Sequence, residues 1–213
     1  MTRSDSTPWT DARLSDLRRE LHQYPEPGWR EFETTGRLVE EIEAIGVDEL
    51  AVGREAYDPA DRMAVPDPET IEPWVERARD RGVRADVLER TRGGVTGCVA
   101  VLDRGAGPSV GLRVDIDGLL ISEATDGDHR PVEAGFRSAV DGTMHACGHD
   151  VHMTWGIAVL EAVAASDFQG RLVVFFQPAE ELSGGGHPMA ESRFAADLDA
   201  LFAAHVGLDH PTG

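Results

Sequence analysis

The apolar positions near the start of the chain recur at helical spacing and predict two helices. Leucines three and four residues apart predict a helix over 14–22, with Ser15 or Asp11 as the residue that caps its start. A second helix is predicted over 31–45, because its apolar residues fall on one face and Gly46 follows them. The chain-breaking sequence YPEPG separates the two helices.

The pattern then changes to alternating strands and helices. Three prolines predict a loop over 50–69, and a further helix is predicted over 70–81. Runs of strand-forming residues predict strands over 96–102, 109–116, 171–176 and 199–206. The segment 123–142 is polar and irregular, and an apolar-faced helix is predicted over 149–165. Strands that alternate with helices predict a three-layer α/β domain.

Residues with metal-binding side chains cluster in one short segment and at the ends of predicted strands. The segment MHACGHDVH at 144–152 holds three of the 8 histidines and one of the 2 cysteines. Other candidate ligands follow strands, namely Asp115, Asp117, Glu180, Glu181 and His205. Because sites in α/β sheets gather beyond the carboxyl ends of strands, we expect these groups to converge. Thiolate and imidazole ligands suit zinc, and added carboxylates also admit manganese, cobalt or nickel.

Each candidate also has an ordinary structural interpretation when it is taken alone. A single His205 on an apolar strand is more often a core histidine, Glu180-Glu181 a solvated charge pair, and Asp115-Ile116-Asp117 a loop or a helix cap. Together, in this order and at strand ends, they favour a metal site. One adjacent glutamate can then bind metal while its neighbour acts as a general base on water. A purely structural zinc site is a further alternative, but it leaves the second glutamate and Asp117 without a purpose.

Composition limits which binding partners and which cellular compartment we expect for this protein. The formal net charge is −19, and all 20 basic residues are arginine. Such an acidic chain is not expected to bind nucleic acid or an anionic membrane; it fits a protein kept soluble in high salt, or arginine-rich codon bias. No apolar run approaches the roughly 18 residues of a membrane span, and we expect a cytoplasmic protein. Cys98 lies in an apolar run and is expected to be a buried hydrophobic residue rather than a disulfide partner of Cys147.

Motifs through nearly the whole chain resemble one family of enzymes. The matching pieces are LRRELHQYPEPGWREFET at 17–34, TGCVAVL at 96–102, LRVDIDGL at 112–119, MHACGHDVH at 144–152, FFQPAEE at 175–181 and AAHVG at 203–207. They resemble the amidohydrolases of the aminoacylase and hippurate hydrolase group of metallopeptidases. The segment 53–82 and the sequence DHRP at 128–131 resemble the subgroup that hydrolyses p-aminobenzoyl-glutamate.

The resemblance implies a role for each matching position. It assigns the metal ligands Cys147, His149, Glu181 and His205, and it makes Glu180 the general base and Asp117 a supporting carboxylate. His152 receives no ligand role and is expected to pack or to orient the start of its helix. The resemblance also implies two divalent metal ions, manganese or zinc. The implied reaction is cleavage of the amide in small N-acyl or N-aroyl amino acids such as p-aminobenzoyl-glutamate.

Family members are longer than this chain and continue after His205. They form a lid and dimerisation domain and then return to the catalytic domain with a last histidine ligand. The resemblance therefore implies that residues 1–213 are the N-terminal portion of the catalytic domain, with 53–82 as a subgroup insertion. A homodimer or a complementing chain would have to supply the rest. The alternative is a non-catalytic metal-binding remnant, or a subunit that requires a partner chain.

Overall fold

A five-stranded mixed sheet forms the centre of the computed structural model, which describes residues 11–207. The strands are β1 (Glu49–Val52), β2 (Cys98–Asp103), β3 (Ser109–Asp115), β4 (Arg171–Gln177) and β5 (Ala200–Ala203). The helices are α1 (Asp11–Gln23), α2 (Phe32–Ile45), α3 (Pro68–Asp80), α4 (Ala85–Arg90), α5 (Arg130–Glu133), α6 (His149–Ala164) and α7 (Gly186–Ala190). Among the described residues, no helix is long and apolar enough to span a membrane.

The order of strands in the sheet is β1-β2-β4-β3-β5. β2 pairs antiparallel with both β1 and β4, whereas β3 pairs parallel with both β4 and β5. Parallel neighbours need a long crossover, and α6 provides it between β3 and β4. The carboxyl ends of β3, β4 and β5 therefore meet at one edge of the sheet.

Alternate residues of the strands face two apolar layers. On one face, residues such as Ala100, Val174 and Phe176 lie in one apolar cluster with α2 and α6, and α1 packs on α6. On the other face, Val173 and Phe175 pack with side chains from connecting segments and from the region of α7. The α/β fold class predicted from the sequence is confirmed, with long helices on one face and a thinner covering on the other.

Several boundaries differ from the predictions. The predicted loop over 50–69 begins with β1, whose four residues pair with β2 before the prolines are reached. The short helices α4 and α7 were not predicted, because each is too brief to show a helical period. Ser15 lies inside α1 and does not cap it. The last strand is shorter than the predicted 199–206, since its pairing with β3 ends at Ala203.

The carboxylate of Glu26, in the segment between α1 and α2, caps the start of α2. The residue that precedes the helix, Glu31, makes no capping hydrogen bond. Instead, the buried Glu26 side chain accepts hydrogen bonds from the backbone N–H groups of Glu33 (3.1 Å) and Thr34 (2.8 Å). Burial raises the pKa of Glu26 to about 8, although these two hydrogen bonds favour its charged form.

We predict that Glu26 makes the stability of the fold depend on pH. Its pKa is higher in the folded chain than in the unfolded chain, so its contribution is complete below its ordinary pKa and is lost as the pH rises through about 8. Between about pH 5 and pH 9, urea unfolding midpoints should fall more steeply in the wild type than in Glu26→Gln. Glu40→Gln, at an exposed position, is the control and should keep the wild-type slope. Equal slopes in all three proteins would refute the assignment.

We also predict that Gly46 stabilises the end of α2 through its backbone conformation. Gly46 has φ of 78° and leaves open space for a side chain. Gly46→Ala should therefore lower the free energy of unfolding by about 1 kcal/mol through backbone strain alone. Gly127 is equally open and has no positive φ, so Gly127→Ala should not destabilise the fold. Urea denaturation of the two variants gives the comparison, and equal effects would contradict the prediction.

Candidate metal centre

The edge where β3 and β4 end gathers most of the candidate side chains. Among residues 11–207, three overlapping groups have ligand atoms that all lie within 4.8 Å of one another, and His149 belongs to each. They are Cys147 with His149 and His205, His149 with Glu180 and Glu181, and Asp115 with His149 and His152. The structure thus brings together the four residues expected to be ligands and the expected general base.

One nitrogen of the buried His149 ring faces a group of carboxylates without a hydrogen bond. Nδ1 lies 2.8 Å from the backbone carbonyl oxygen of Asp117, which can only accept, so Nδ1 carries the proton. Nε2 is buried and has no hydrogen-bond partner. It lies 3.6 Å from an oxygen of Asp115 and 3.7 Å from oxygens of both Glu180 and Glu181. In the neutral form of the ring, Nε2 offers a lone pair that a cation placed between it and these carboxylates can bind.

The charges around His149 and Cys147 shift the pKa values of both. Burial lowers the pKa of His149, but Asp117, Asp115 and Glu181 outweigh it and raise the value to about 8. Burial and the neighbouring Glu181 raise the pKa of the Cys147 thiol to about 11. The negative charge of the surrounding carboxylates therefore disfavours the deprotonated form of Cys147. A divalent cation would reverse that balance, because it offsets their charge and binds the thiolate directly.

His205 approaches Cys147 from the segment that follows β5. Its Nε2 lies 3.3 Å from the Cys147 sulfur, and its Nδ1 lies 2.8 Å from the carbonyl oxygen of Val206. His205 is exposed and lies two residues beyond the end of β5, not at the end of the strand as predicted. The segment before α6 and the segment after β5 come into contact at Gly148. This residue has φ of 80°, and a Cβ on it would lie 2.3 Å from a side-chain atom of Val206. Only glycine fits there.

The turn that carries the two glutamates is held by carboxylates on both sides. Asp117 accepts a hydrogen bond from the backbone N–H of Glu181 at 3.0 Å. Glu31, fully buried, accepts from the Ala179 backbone N–H at 2.8 Å and from the Thr96 hydroxyl at 2.6 Å. Burial raises the pKa of Glu31, and the charge of Asp117 adds to this shift. Asp117 and Glu31 together fix the direction in which the glutamate pair points.

Glu31 and Arg113 were missed in the sequence. The Arg113 guanidinium lies 2.9 Å from Asp115 and 4.0 Å from an oxygen of Glu180. The only local signal was a charged residue inside the apolar run SVGLRVDI, where burial requires a partner. Glu31 gave no signal, because a glutamate at the start of a predicted helix is ordinary.

We predict that Glu31 is required for the stability of the glutamate turn. Glu31→Ala leaves the buried Ala179 N–H and the Thr96 hydroxyl without their acceptor, so the free energy of unfolding should fall by about 2–4 kcal/mol. Glu31→Gln keeps a carbonyl acceptor and should cost less. Glu40→Ala removes an exposed carboxylate and should change stability by less than about 0.5 kcal/mol. Urea unfolding measures all three, and a loss in Glu31→Ala no larger than that of the control would contradict the role.

Comparison with known proteins finds that the chain is similar to members of one peptidase family. Residues 111–212 match the model of peptidase family M20/M25/M40. Indole-3-acetyl-aspartic acid hydrolase of Enterobacter agglomerans is 40% identical over 94% of this chain and 46% of that protein. One of the subunits of p-aminobenzoyl-glutamate hydrolase, from Escherichia coli, is 41% identical over 94% of this chain and 47% of that protein. The chain spans about half the length of these curated relatives.

Solved structures agree with these relatives. An aminobenzoyl-glutamate utilization protein from Klebsiella pneumoniae is similar with a TM-score of 0.72 and 32% identity, over 92% of this chain and 44% of that one. A dinuclear metal-binding peptidase of the M20 family from Bacillus subtilis has a TM-score of 0.63 and 29% identity, over 94% of this chain and 44% of that one. The family resemblance carried by the motifs is therefore confirmed, and the chain corresponds along nearly its whole length to the N-terminal part of hydrolytic enzymes of peptidase family M20.

Proposed function

We propose that this chain is the N-terminal portion of the catalytic domain of a metal-dependent amidohydrolase. The observation that carries the proposal is the buried, unpartnered Nε2 of His149, which faces two adjacent glutamates while Asp117 holds the opposite side of the ring. A histidine whose second nitrogen is fixed by a backbone carbonyl is a common metal ligand. The domain would comprise residues 1–213, with 53–82 as a subgroup insertion.

Cys147, His149, Glu181 and His205 would hold two divalent metal ions, manganese or zinc. The donor set suits them, since it combines a thiol, two imidazoles and a carboxylate on one sheet edge. The Bacillus subtilis relative is described by name as a dinuclear metal-binding peptidase, which supports two ions here. When bound, such ions polarise an amide carbonyl and acidify the attacking water.

Glu180 would be the general base. Its side chain is 36% exposed against 21% for Glu181, so it is the more accessible of the two glutamates to water and substrate. Glu180 would take a proton from the water that attacks the amide carbon. It would then give this proton to the amine nitrogen as the carbon–nitrogen bond breaks. Asp117 would act through the His149 ring, which its backbone carbonyl oxygen holds, and through the Glu181 backbone N–H, which its carboxylate holds.

The substrates would be small N-acyl or N-aroyl amino acids. Indole-3-acetyl-aspartic acid and p-aminobenzoyl-glutamate, which two relatives are named for, both join an aromatic acyl group to an acidic amino acid. We infer the same substrate class for this chain. The Escherichia coli relative is named as a subunit of a hydrolase, which supports a partner chain, and a homodimer would be the alternative. From composition we also infer a cytoplasmic location and adaptation to high salt.

A second candidate is a metal-binding subunit that has no activity by itself. The observation behind this candidate is that the chain spans about half the length of its curated relatives. The two candidates agree on metal binding and differ on turnover. They are separated by measuring hydrolysis of p-aminobenzoyl-glutamate by the purified chain with manganese or zinc, both alone and with a candidate partner chain.

We predict that Glu180→Gln lowers hydrolysis by about 10²- to 10⁴-fold while the metal content stays at the wild-type level, because the general base is lost and the ligands remain. Glu181→Gln should lower both metal content and hydrolysis. Glu191→Gln, at an exposed position outside the centre, is the matched control. Metal content is measured by elemental analysis and hydrolysis by product chromatography. A folded, metal-loaded wild type without turnover, alone or with a partner chain, would favour the second candidate.

A further inference from the structure

His152 is a fully buried histidine of α6 that the proposed reaction does not use. It lies between the end of β3 and the loop that carries His205. Its Nδ1 is 2.5 Å from an oxygen of Asp115, and the backbone N–H of Val206 donates to its Nε2 at 3.0 Å. One side chain therefore links two segments that are distant in the sequence.

The direction of these hydrogen bonds fixes the ring's proton. A backbone N–H can only donate, so Nε2 must present its lone pair to Val206, and Nδ1 carries the proton toward Asp115. Both nitrogens are then engaged. His152 cannot bind a metal ion while it holds these partners, even though its atoms lie close enough to Asp115 and His149 to do so.

Other side chains hold Asp115 in place and pack against the His152 ring. Arg113 holds the other oxygen of Asp115 at 2.9 Å, so Asp115 is fixed from two sides. The His152 ring packs edge-on against His205, with ring centroids 4.5 Å apart, and lies 5.4 Å from the ring of Trp155. A rigid ring thus sits directly beneath His205.

The His205 loop needs such support because the strand before it is weakly packed. All four residues of β5 are exposed, and His205 itself is exposed two residues further on. A histidine on an exposed loop loses side-chain and backbone entropy when it must hold one orientation. The hydrogen bond from Val206 to His152 ties the residue after His205 to the buried interior.

We propose that His152 is a positioning residue, which holds Val206 so that Nε2 of His205 points toward Cys147 and the Cys147–His205 side of the metal centre is formed in advance. This rests on the proposed function, because it takes Cys147 and His205 as metal ligands. His152 acts through His205 and touches neither metal nor substrate.

The test is metal affinity of the 213-residue chain, measured by competition with a chromophoric chelator for Zn²⁺. His152→Phe keeps a ring of similar shape and removes both hydrogen bonds, so affinity should fall by about 10- to 100-fold, the usual effect of losing a residue that orients a ligand. His152→Gln keeps an acceptor on the side chain and should recover part of the loss. The matched control, His187→Phe, alters an exposed histidine of α7 and should bind as the wild type does.

A second readout follows the loop itself. Hydrogen exchange at the Val206 amide should be at least about tenfold faster in His152→Phe than in the wild type and unchanged in His187→Phe. If His152→Phe does not fold, His152→Gln is compared by the same two measurements and should show intermediate values. Wild-type affinity and wild-type exchange in a folded His152 variant would overturn the positioning role.

The outcomes separate this inference from the proposed function. If the wild type binds Zn²⁺ and His205→Ala weakens binding but His152→Phe does not, the positioning role is wrong and the metal centre stands. If neither the wild type nor His205→Ala binds Zn²⁺, the proposed metal centre is wrong. The exchange rate at Val206 then decides by itself whether His152 holds the loop.

Discussion

The parallel pairing of β3 with β4 is the constraint on which the candidate centre depends. Asp115 pairs with Gln177 at the last step of this ladder, so the chain leaves both strands at the same edge. The two segments that follow then meet, and Asp117 accepts a hydrogen bond from the backbone of Glu181. Because α6 is the crossover between these strands, its first residue, His149, is delivered to the same edge.

The centre concentrates negative charge in a chain that is already strongly acidic. Four carboxylates surround His149, and the nearby Glu31 is fully buried. Backbone N–H groups, Arg113 and His149, whose pKa is raised to about 8, offset part of this charge. Burial raises the pKa values of Glu31, Glu181 and Cys147, and neighbouring carboxylates add to each shift. A divalent cation would offset this negative charge.

Much of the architecture could be predicted from local pattern. The helix that became α2 ends at Gly46, and three of the four predicted strands lie within two residues of their structural bounds. β1 was not predicted, because four residues are too few to show a strand pattern. Its stability comes from pairing with β2, which local sequence does not reveal. Glu31 escaped for a related reason, since its partners Thr96 and Ala179 lie 65 and 148 residues away.

The sequence by itself determined which chemical groups are available, their order and the elements that carry them. It also determined the acidic charge and the family resemblance, because both depend only on residue identity. The tertiary structure decided which nitrogen of His149 faces the carboxylates, and that both nitrogens of His152 are engaged elsewhere. The physical reason is that a side chain's proton and direction are set by hydrogen-bond partners, and these partners are brought together only when the sheet forms.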